Sequence, residues 1–125
     1  MRNKILIISS EFPPGPGGIG NHAFNICNEL NRRGYQIIIN TKSDYVDQNQ
    51  EAMFDLDRPY KIFRFRRKQT TLQTWIHRLK IIRRSIIKYN IERIIISGEF
   101  SIWTIPLIKI FRNVKITTII HGTEL

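Results

Sequence analysis

Four short stretches of the chain are apolar almost throughout. They are residues 5–8, 37–39, 94–96 and 116–120, the last of which contains two threonines. Strands that are buried on both faces have this continuous apolar pattern, and such strands occur in parallel sheets covered by helices. Residues 61–66 alternate less regularly, which predicts a strand with one wet face near the edge of the sheet.

Two other segments repeat apolar residues at spacings of three and four. Residues 19–30, with Gly34 just beyond them, have the pattern of an amphipathic helix that ends on a glycine cap. Residues 72–86 show the same spacing and predict a second long helix. A third, shorter helix is predicted after Ser101, where Pro106 should kink it or confine it to a few turns.

Strands that alternate with helices predict an α/β fold with a Rossmann-like, doubly wound parallel sheet. Ligands of such folds bind outside the carboxyl ends of the strands. Three unusual sequences follow strands at these ends: EFPPGPGGIG after the first, and SGEF and HGTEL after the last two. We therefore expect these three loops to line one crevice. Residues 41–60 show no clear period and are predicted to form a loop.

The loop at residues 11–20 contains four glycines and three prolines. Glycines at the start of a helix let the backbone approach a ligand, and the free amides and helix dipole there favour an anion such as phosphate. A plainer interpretation is that Gly18 and Gly20 only permit a tight turn from strand to helix. The dinucleotide pattern G-x-G-x-x-G is also satisfied, but the second strand ends in Asn-Thr-Lys, with no acid for a ribose hydroxyl.

The positive charge of the chain is concentrated in one segment. The 125 residues carry a net charge of +10, and residues 58–93 hold twelve Lys or Arg against one acid, Glu92. Three interpretations exist: a solvated helix face, contact with an anionic membrane leaflet, and nucleic-acid binding. Trp75 and isoleucines between the cations suit a membrane surface as well as solvent, whereas neither a recognition-helix motif nor an aromatic platform supports nucleic acid. The cations assigned to this surface are Arg78, Lys80, Arg83, Arg84 and Lys88.

Composition limits the remaining possibilities. The length corresponds to one domain at most. Cys27 is the only cysteine, which excludes an internal disulfide and suits a reducing compartment, so a cytoplasmic location is expected. No apolar run approaches the roughly eighteen residues that a membrane span requires. No histidines and acids have the spacing of metal ligands, and we expect no metal site.

Four other polar residues are candidates for function or for structural roles. His121 ends an apolar strand before Gly122 and is the strongest candidate, with a structural hydrogen bond as the alternative. Glu11 closes the first strand and either faces the cleft or serves the amides of its own loop. Glu99 is expected to cap a helix, with an acceptor contact as the second option. His22 shares the apolar stripe of the first helix and is expected to be buried.

The motifs together resemble a known family. An acid, Phe-Pro-Pro and Gly-Gly-Ile follow the first strand, a helix ends in ELNRRGYQI, and HGTEL follows a later strand. This order resembles the N-terminal domain of retaining family 4 glycosyltransferases, which have the GT-B fold. The resemblance implies a metal-independent transferase without a cofactor, which moves a sugar from a nucleotide-diphosphate-sugar to a bacterial glycan or lipid acceptor. A non-enzymatic Rossmann-like nucleotide-binding module is the alternative.

The resemblance also implies a role for particular residues. Gly17 and Gly18 would lie against the donor diphosphate, and His121 would be the catalytic residue that faces the sugar. Residues 1–125 would form part of the acceptor-side domain, and the C-terminal donor-binding domain would lie outside this sequence. We accordingly expect this segment alone to be inactive and to self-associate through an uncovered part of its sheet.

Overall fold

The computed structural model describes residues 3–43, 47–66, 68–98, 105–106 and 114–119. Within these residues, strands and helices alternate along the chain as the apolar pattern predicts, except where β4 and β5 are separated by residues that are mostly outside the description. The elements are β1 Lys4–Ser9, α1 Gly18–Arg32, β2 Gln36–Lys42, α2 Gln48–Leu56, β3 Lys61–Phe65, α3 Thr71–Tyr89, β4 Arg93–Ser97 and β5 Lys115–Ile119.

The five described strands form one parallel sheet in the order β3-β2-β1-β4-β5. The chain starts in the middle of the sheet, builds outwards to β3, and then crosses to β4 on the other side of β1. The switch between β1 and β4 is where the carboxyl ends of parallel strands leave room for a ligand. This arrangement confirms the predicted Rossmann-like α/β fold and the position of β3 at an edge.

The two faces of the sheet have separate cores because successive side chains of a strand point to opposite sides. Leu6 and Ile8 pack with Ile82 of α3 on one face. Ile5 packs with Cys27 of α1 on the other face, to which Phe54 of α2 also contributes. The apolar runs of β1, β2 and β4 therefore reflect strands that are covered on both sides. The same prediction is wrong for β5, in which Ile116 and Ile119 are half-buried and the other three residues are exposed.

Both long helices have capped ends, and the glycine cap of α1 is the one that the sequence predicts. Beyond α1, the N–H of Tyr35 donates to the carbonyl of Leu30 at 3.1 Å, and the intervening Gly34 has a positive φ of 98°. At the start of α3, the hydroxyl of Thr70 accepts a hydrogen bond from the N–H of Gln73 at 3.1 Å. These caps satisfy backbone groups that have no partner inside the helix.

The prediction of a loop over residues 41–60 is wrong for most of that segment, because α2 occupies its middle. The helix is capped by Asp47, whose carboxylate accepts from the N–H of Asn49 at 2.7 Å. Phe54 attaches the helix to the sheet through the ring of Phe12, with 6.3 Å between the ring centroids. One anchoring aromatic in nine residues leaves no helical period in the sequence, so the element was missed.

Several predictions lie outside the described residues. Glu99, His121 and the HGTEL loop are among them, and the third helix is represented only by residues 105–106, which are helical. Within the described ranges, none of the helices is long and apolar enough to cross a membrane.

Candidate functional site

The loops that follow β1 and β4 meet at the carboxyl edge of the sheet. The N–H of Ser10 donates to the carbonyl of Ser97 at 3.0 Å. Next to it, Gly98 has a φ of +99°, and a Cβ at that position would stand 1.6 Å from the hydroxyl oxygen of Ser10. The two loops are therefore in direct contact, as predicted for the first two of the three crevice loops.

Two of the predicted site residues, Glu11 and Gly17, are brought together by the fold of the glycine-rich loop. A Cβ on Gly17 would stand only 1.9 Å from Glu11 Oε1, and the φ of Gly17 is +135°. Glu11 Oε1 is buried and accepts no hydrogen bond among the described residues. This oxygen therefore does not support the interpretation that Glu11 accepts hydrogen bonds from the amides of its own loop.

Gly18 differs from Gly17 because the space around it is open. It is the first residue of α1, and a Cβ there would have no described atom within 4 Å. No described side chain caps the start of α1, and no acid lies in its first turn. The first amides of the helix therefore have no described side-chain acceptor, and the charge nearest to them is the Glu11 carboxylate beside the N-cap residue Gly17.

Arg64 connects the elements around this loop, a role that was not predicted from the sequence. Its side chain is only 6% exposed. The guanidinium makes two hydrogen bonds of 2.9 Å to the carboxylate of Asp55. It also donates to the carbonyl of Lys42 at 2.9 Å and to that of Pro13 at 2.7 Å. One side chain thus joins β3, α2, the end of β2 and the start of the loop.

One feature of the sequence is consistent with this role of Arg64, namely the acidic segment at residues 47–57. Residues 47–57 contain four acids, and Glu51 among them is buried beside the guanidinium at 3.7 Å. The hydroxyl of Ser43 donates to the same carboxylate. These acids predict a buried ion pair with Arg64 only if residues 48–56 are known to form a helix that packs next to β3.

The expectation that Arg78 belongs to the exposed basic surface is wrong. Its position on α3 faces the sheet together with Ile82 and Ser85, and only 4% of it is exposed. The guanidinium carbon lies 4.4 Å from the ring centroid of Phe65 and 4.9 Å from that of Trp75. The other members of the predicted surface are exposed: Lys80, Arg83, Arg84 and Lys88.

The described histidines and the cysteine differ in their burial and in their pKa values. His22 is exposed, contrary to the expectation that it is buried, because it lies outside the inward stripe of α1. Burial lowers the pKa of His77, and the neighbouring cations Lys68, Lys80 and Arg84 lower it further. Burial also raises the pKa of the Cys27 thiol to about 12. Among the described residues, no group of three or more His, Cys, Asp or Glu could hold a metal ion.

The parallel sheet and the loops that meet at its switch point define a Rossmann-like α/β domain, of the kind that forms the N-terminal half of GT-B glycosyltransferases. Comparison with protein families gave a match to Glycosyltransferase Family 4 over residues 16–125. The chain belongs to this family. Neither the curated proteins nor the solved structures gave a match. The matched region includes Gly17, Gly18, Glu99 and His121, and it starts after Glu11.

Proposed function

We propose that this protein is the acceptor-side part of a retaining glycosyltransferase that moves a sugar from a nucleotide-diphosphate-sugar to a glycan or lipid acceptor, without a metal ion. The observation that supports it is the open start of α1 at Gly18, beside the contact between the β1 and β4 loops. Family membership supplies the reaction class.

In this proposal the amides at Gly18 and in the first turn of α1 donate to the donor diphosphate. Negative charge accumulates on the diphosphate as its bond to the anomeric carbon of the sugar breaks, so fixed donors stabilise the transition state more than the ground state. His121 and Glu99 are proposed to face the sugar and the acceptor, on the basis of the family resemblance. Glu11, which is half-buried, is proposed to face the cleft and to contact the acceptor.

The experiment that tests this role replaces Gly18 with Val in a protein that carries both this domain and a donor-binding domain, because residues 1–125 alone are expected to be inactive. The space at Gly18 is open and its φ is not in the positive range, so the substitution should leave the fold intact while it obstructs the diphosphate. We expect sugar transfer, assayed with a panel of nucleotide-sugars, to fall at least about tenfold, and the melting temperature to change little. Asn21→Val, one turn later on the same helix and exposed, is the matched control. Equal activity of Gly18→Val and wild type would reduce the loop to a simple turn.

His121→Ala provides a second test of the same proposal. We expect this change to slow transfer far more than it weakens nucleotide binding, since the nucleotide is proposed to be held mainly by the donor domain. Transfer rates and nucleotide affinity are measured on the same preparations. The role of His121 would be contradicted if the variant lost its affinity for the nucleotide while the transfer rate at saturating donor stayed unchanged.

The exposed face of α3 supports peripheral contact with an anionic membrane, at the inner face if the protein is cytoplasmic. Leu72, Ile76 and Ile87 are 70%, 44% and 54% exposed. They lie along one face of the helix, on which Lys80 and Arg83 stand between Ile76 and Ile87 at spacings of three and four residues. Apolar side chains that enter the interface and cations that contact the headgroups both favour binding, at about 1 kcal/mol for each basic residue near the surface.

Charge reversal tests the membrane contact. The variant Arg83→Glu/Arg84→Glu should sediment less with vesicles that contain anionic lipid at low salt. The matched control is Arg93→Glu/Lys115→Glu, which reverses two exposed charges at the amino ends of β4 and β5. If both double variants sediment like wild type, the cations of α3 form only a solvated face.

A further inference from the structure

A cavity of about 290 Å³ opens at the same carboxyl edge of the sheet, two strands away from β1. Lys42 and Phe65, the last residues of β2 and β3 and partners in their register, form its floor. The start of α3, from Thr70 to Thr74, forms the opposite wall. The cavity therefore lies between the sheet edge and the N-terminus of a long helix.

The lining of this cavity is strongly basic. Lys42, Arg66, Lys68 and Arg78 all contribute to it, and the described lining residues include no carboxylate. Arg66 and Lys68 are exposed, and Arg78 forms the buried end. Four cations around one concave surface focus a positive potential that attracts an anion with more than one negative charge.

Arg78 is the most precisely positioned of these cations. Its guanidinium stays charged at all physiological pH values, and it lies against the faces of Phe65 and Trp75 at 4.4 and 4.9 Å. Contact with aromatic faces favours the cation and restricts its rotation. An anion that enters the cavity therefore meets a donor whose side-chain entropy has already been lost on folding.

The backbone around the cavity entrance is also held in place. The N–H of Lys68 donates to the hydroxyl of Thr74 at 2.9 Å, and that hydroxyl donates to the carbonyl of Thr70 at 3.0 Å. The first turn of α3 contains no acid that would neutralise the positive end of the helix dipole. The cavity is thus a formed site whose charges and helix orientation all favour the same kind of ligand.

We propose that this cavity binds a phosphate group, and that the phosphate belongs to the acceptor. The multiple cations and the helix N-terminus match a phosphate better than a singly charged carboxylate. The assignment to the acceptor rests on the proposed transfer reaction. The position of the cavity supports this assignment. Arg64 donates hydrogen bonds to the carbonyls of Lys42, which lines the cavity, and of Pro13 in the glycine-rich loop, so the cavity and the proposed donor site lie at the same edge of the sheet.

Titration calorimetry with inorganic phosphate and pyrophosphate at low ionic strength tests the site without any need for transfer activity. We expect saturable binding of one anion per protein. Because Arg66 and Lys68 are exposed, Arg66→Gln and Lys68→Gln should fold normally and weaken binding about threefold to tenfold each. Arg93→Gln removes an exposed cation at the amino end of β4, on the opposite edge of the sheet from the cavity, and should change binding less than about twofold. Absence of saturable binding, or an equal loss in Arg93→Gln, overturns the proposal.

Two further arms identify the source of the phosphate. If it is carried by a lipid, vesicles containing phosphatidic acid bind the protein and inorganic phosphate displaces it, with Lys68→Gln bound more weakly. If it is carried by a soluble acceptor, inorganic phosphate binds but does not displace protein from vesicles. Either result supports the cavity as a phosphate site. Sugar transfer is assayed in a protein that also carries a donor-binding domain. Loss of phosphate binding with intact transfer refutes only this site, whereas phosphate binding without any transfer by that two-domain protein refutes the proposed reaction and the assignment to its acceptor.

Discussion

The carboxylate of Glu11 lies against the main chain of Gly17, where any side chain would collide with it. Glu11 follows the end of β1, and Gly17 is the last residue before α1. The loop between them therefore closes on itself, and the contact determines where the first amides of α1 point. Gly18, one residue further on, carries no such restriction and faces open space.

Gly17→Ala should therefore destabilise the protein by about 1–3 kcal/mol, since an L-residue is strained at a φ of +135° and its Cβ meets the Glu11 carboxylate. Urea denaturation measures the effect. Gly18→Ala is the matched control and should be neutral or stabilising by up to about 1 kcal/mol. Glu11→Ala in the Gly17→Ala background should recover only the part of the loss that is due to the collision. Equal stability of the two glycine variants would contradict the loop geometry.

Arg64→Met should destabilise the protein by about 3–5 kcal/mol, because it leaves the buried Glu51 and the partly buried Asp55 without their cation. Arg64→Lys should recover little of this loss, since an ammonium cannot reproduce the paired bonds to Asp55 and the two carbonyl contacts. The free energy of unfolding is the measurement. Asp57→Asn serves as the control, because that carboxylate is 84% exposed and its loss should change stability by less than about 0.5 kcal/mol.

Cys27 should resist thiol reagents in the folded protein. It is fully buried, and burial raises its pKa to about 12, so the reactive thiolate is scarce and inaccessible at pH 8. Labelling with a chromogenic disulfide should follow the unfolding curve in urea. The raised pKa also means that the folded state holds this proton more tightly than the unfolded state, so stability should decline as the pH rises above 9.0, the ordinary pKa of the thiol. Fast labelling without denaturant would contradict the packing of α1.

His77 should titrate at a lower pH in the folded protein than in urea, because burial and the adjacent cations lower its pKa. The folded state then binds this proton less readily than the unfolded state. The stability that the neutral imidazole contributes is present above the ordinary pKa of 6.5 and declines as the pH falls through it. NMR titration measures both values, and Lys80→Gln/Arg84→Gln should raise the folded one. A folded pKa at or above the unfolded one would contradict this environment.

The sequence alone determined the layers of this fold. Continuous apolar runs at residues 5–8, 37–39 and 94–96 became buried parallel strands, and apolar spacings of three and four became α1 and α3. These features are predictable because strand and helix periods are local, and because burial on two faces makes a strand apolar at most positions. The buried polar residues lie at the carboxyl ends of the strands: Ser9, Asn40, Thr41 and Ser97. The role of Gly17 at the donor diphosphate is implied by the family resemblance and stays a prediction.

Only the tertiary structure decided which charged side chains are buried and which contacts α2 makes. Arg78 and Arg83 occupy the same basic run of the sequence, yet one is buried between two aromatic rings and the other is exposed. Arg64 donates hydrogen bonds to Asp55, nine residues away in the sequence, and to Pro13, fifty-one residues away. Such contacts depend on how helices lie against the sheet. A cation has the same local pattern whether it faces water, a carboxylate or a cavity, so only the packing of distant segments distinguishes these environments.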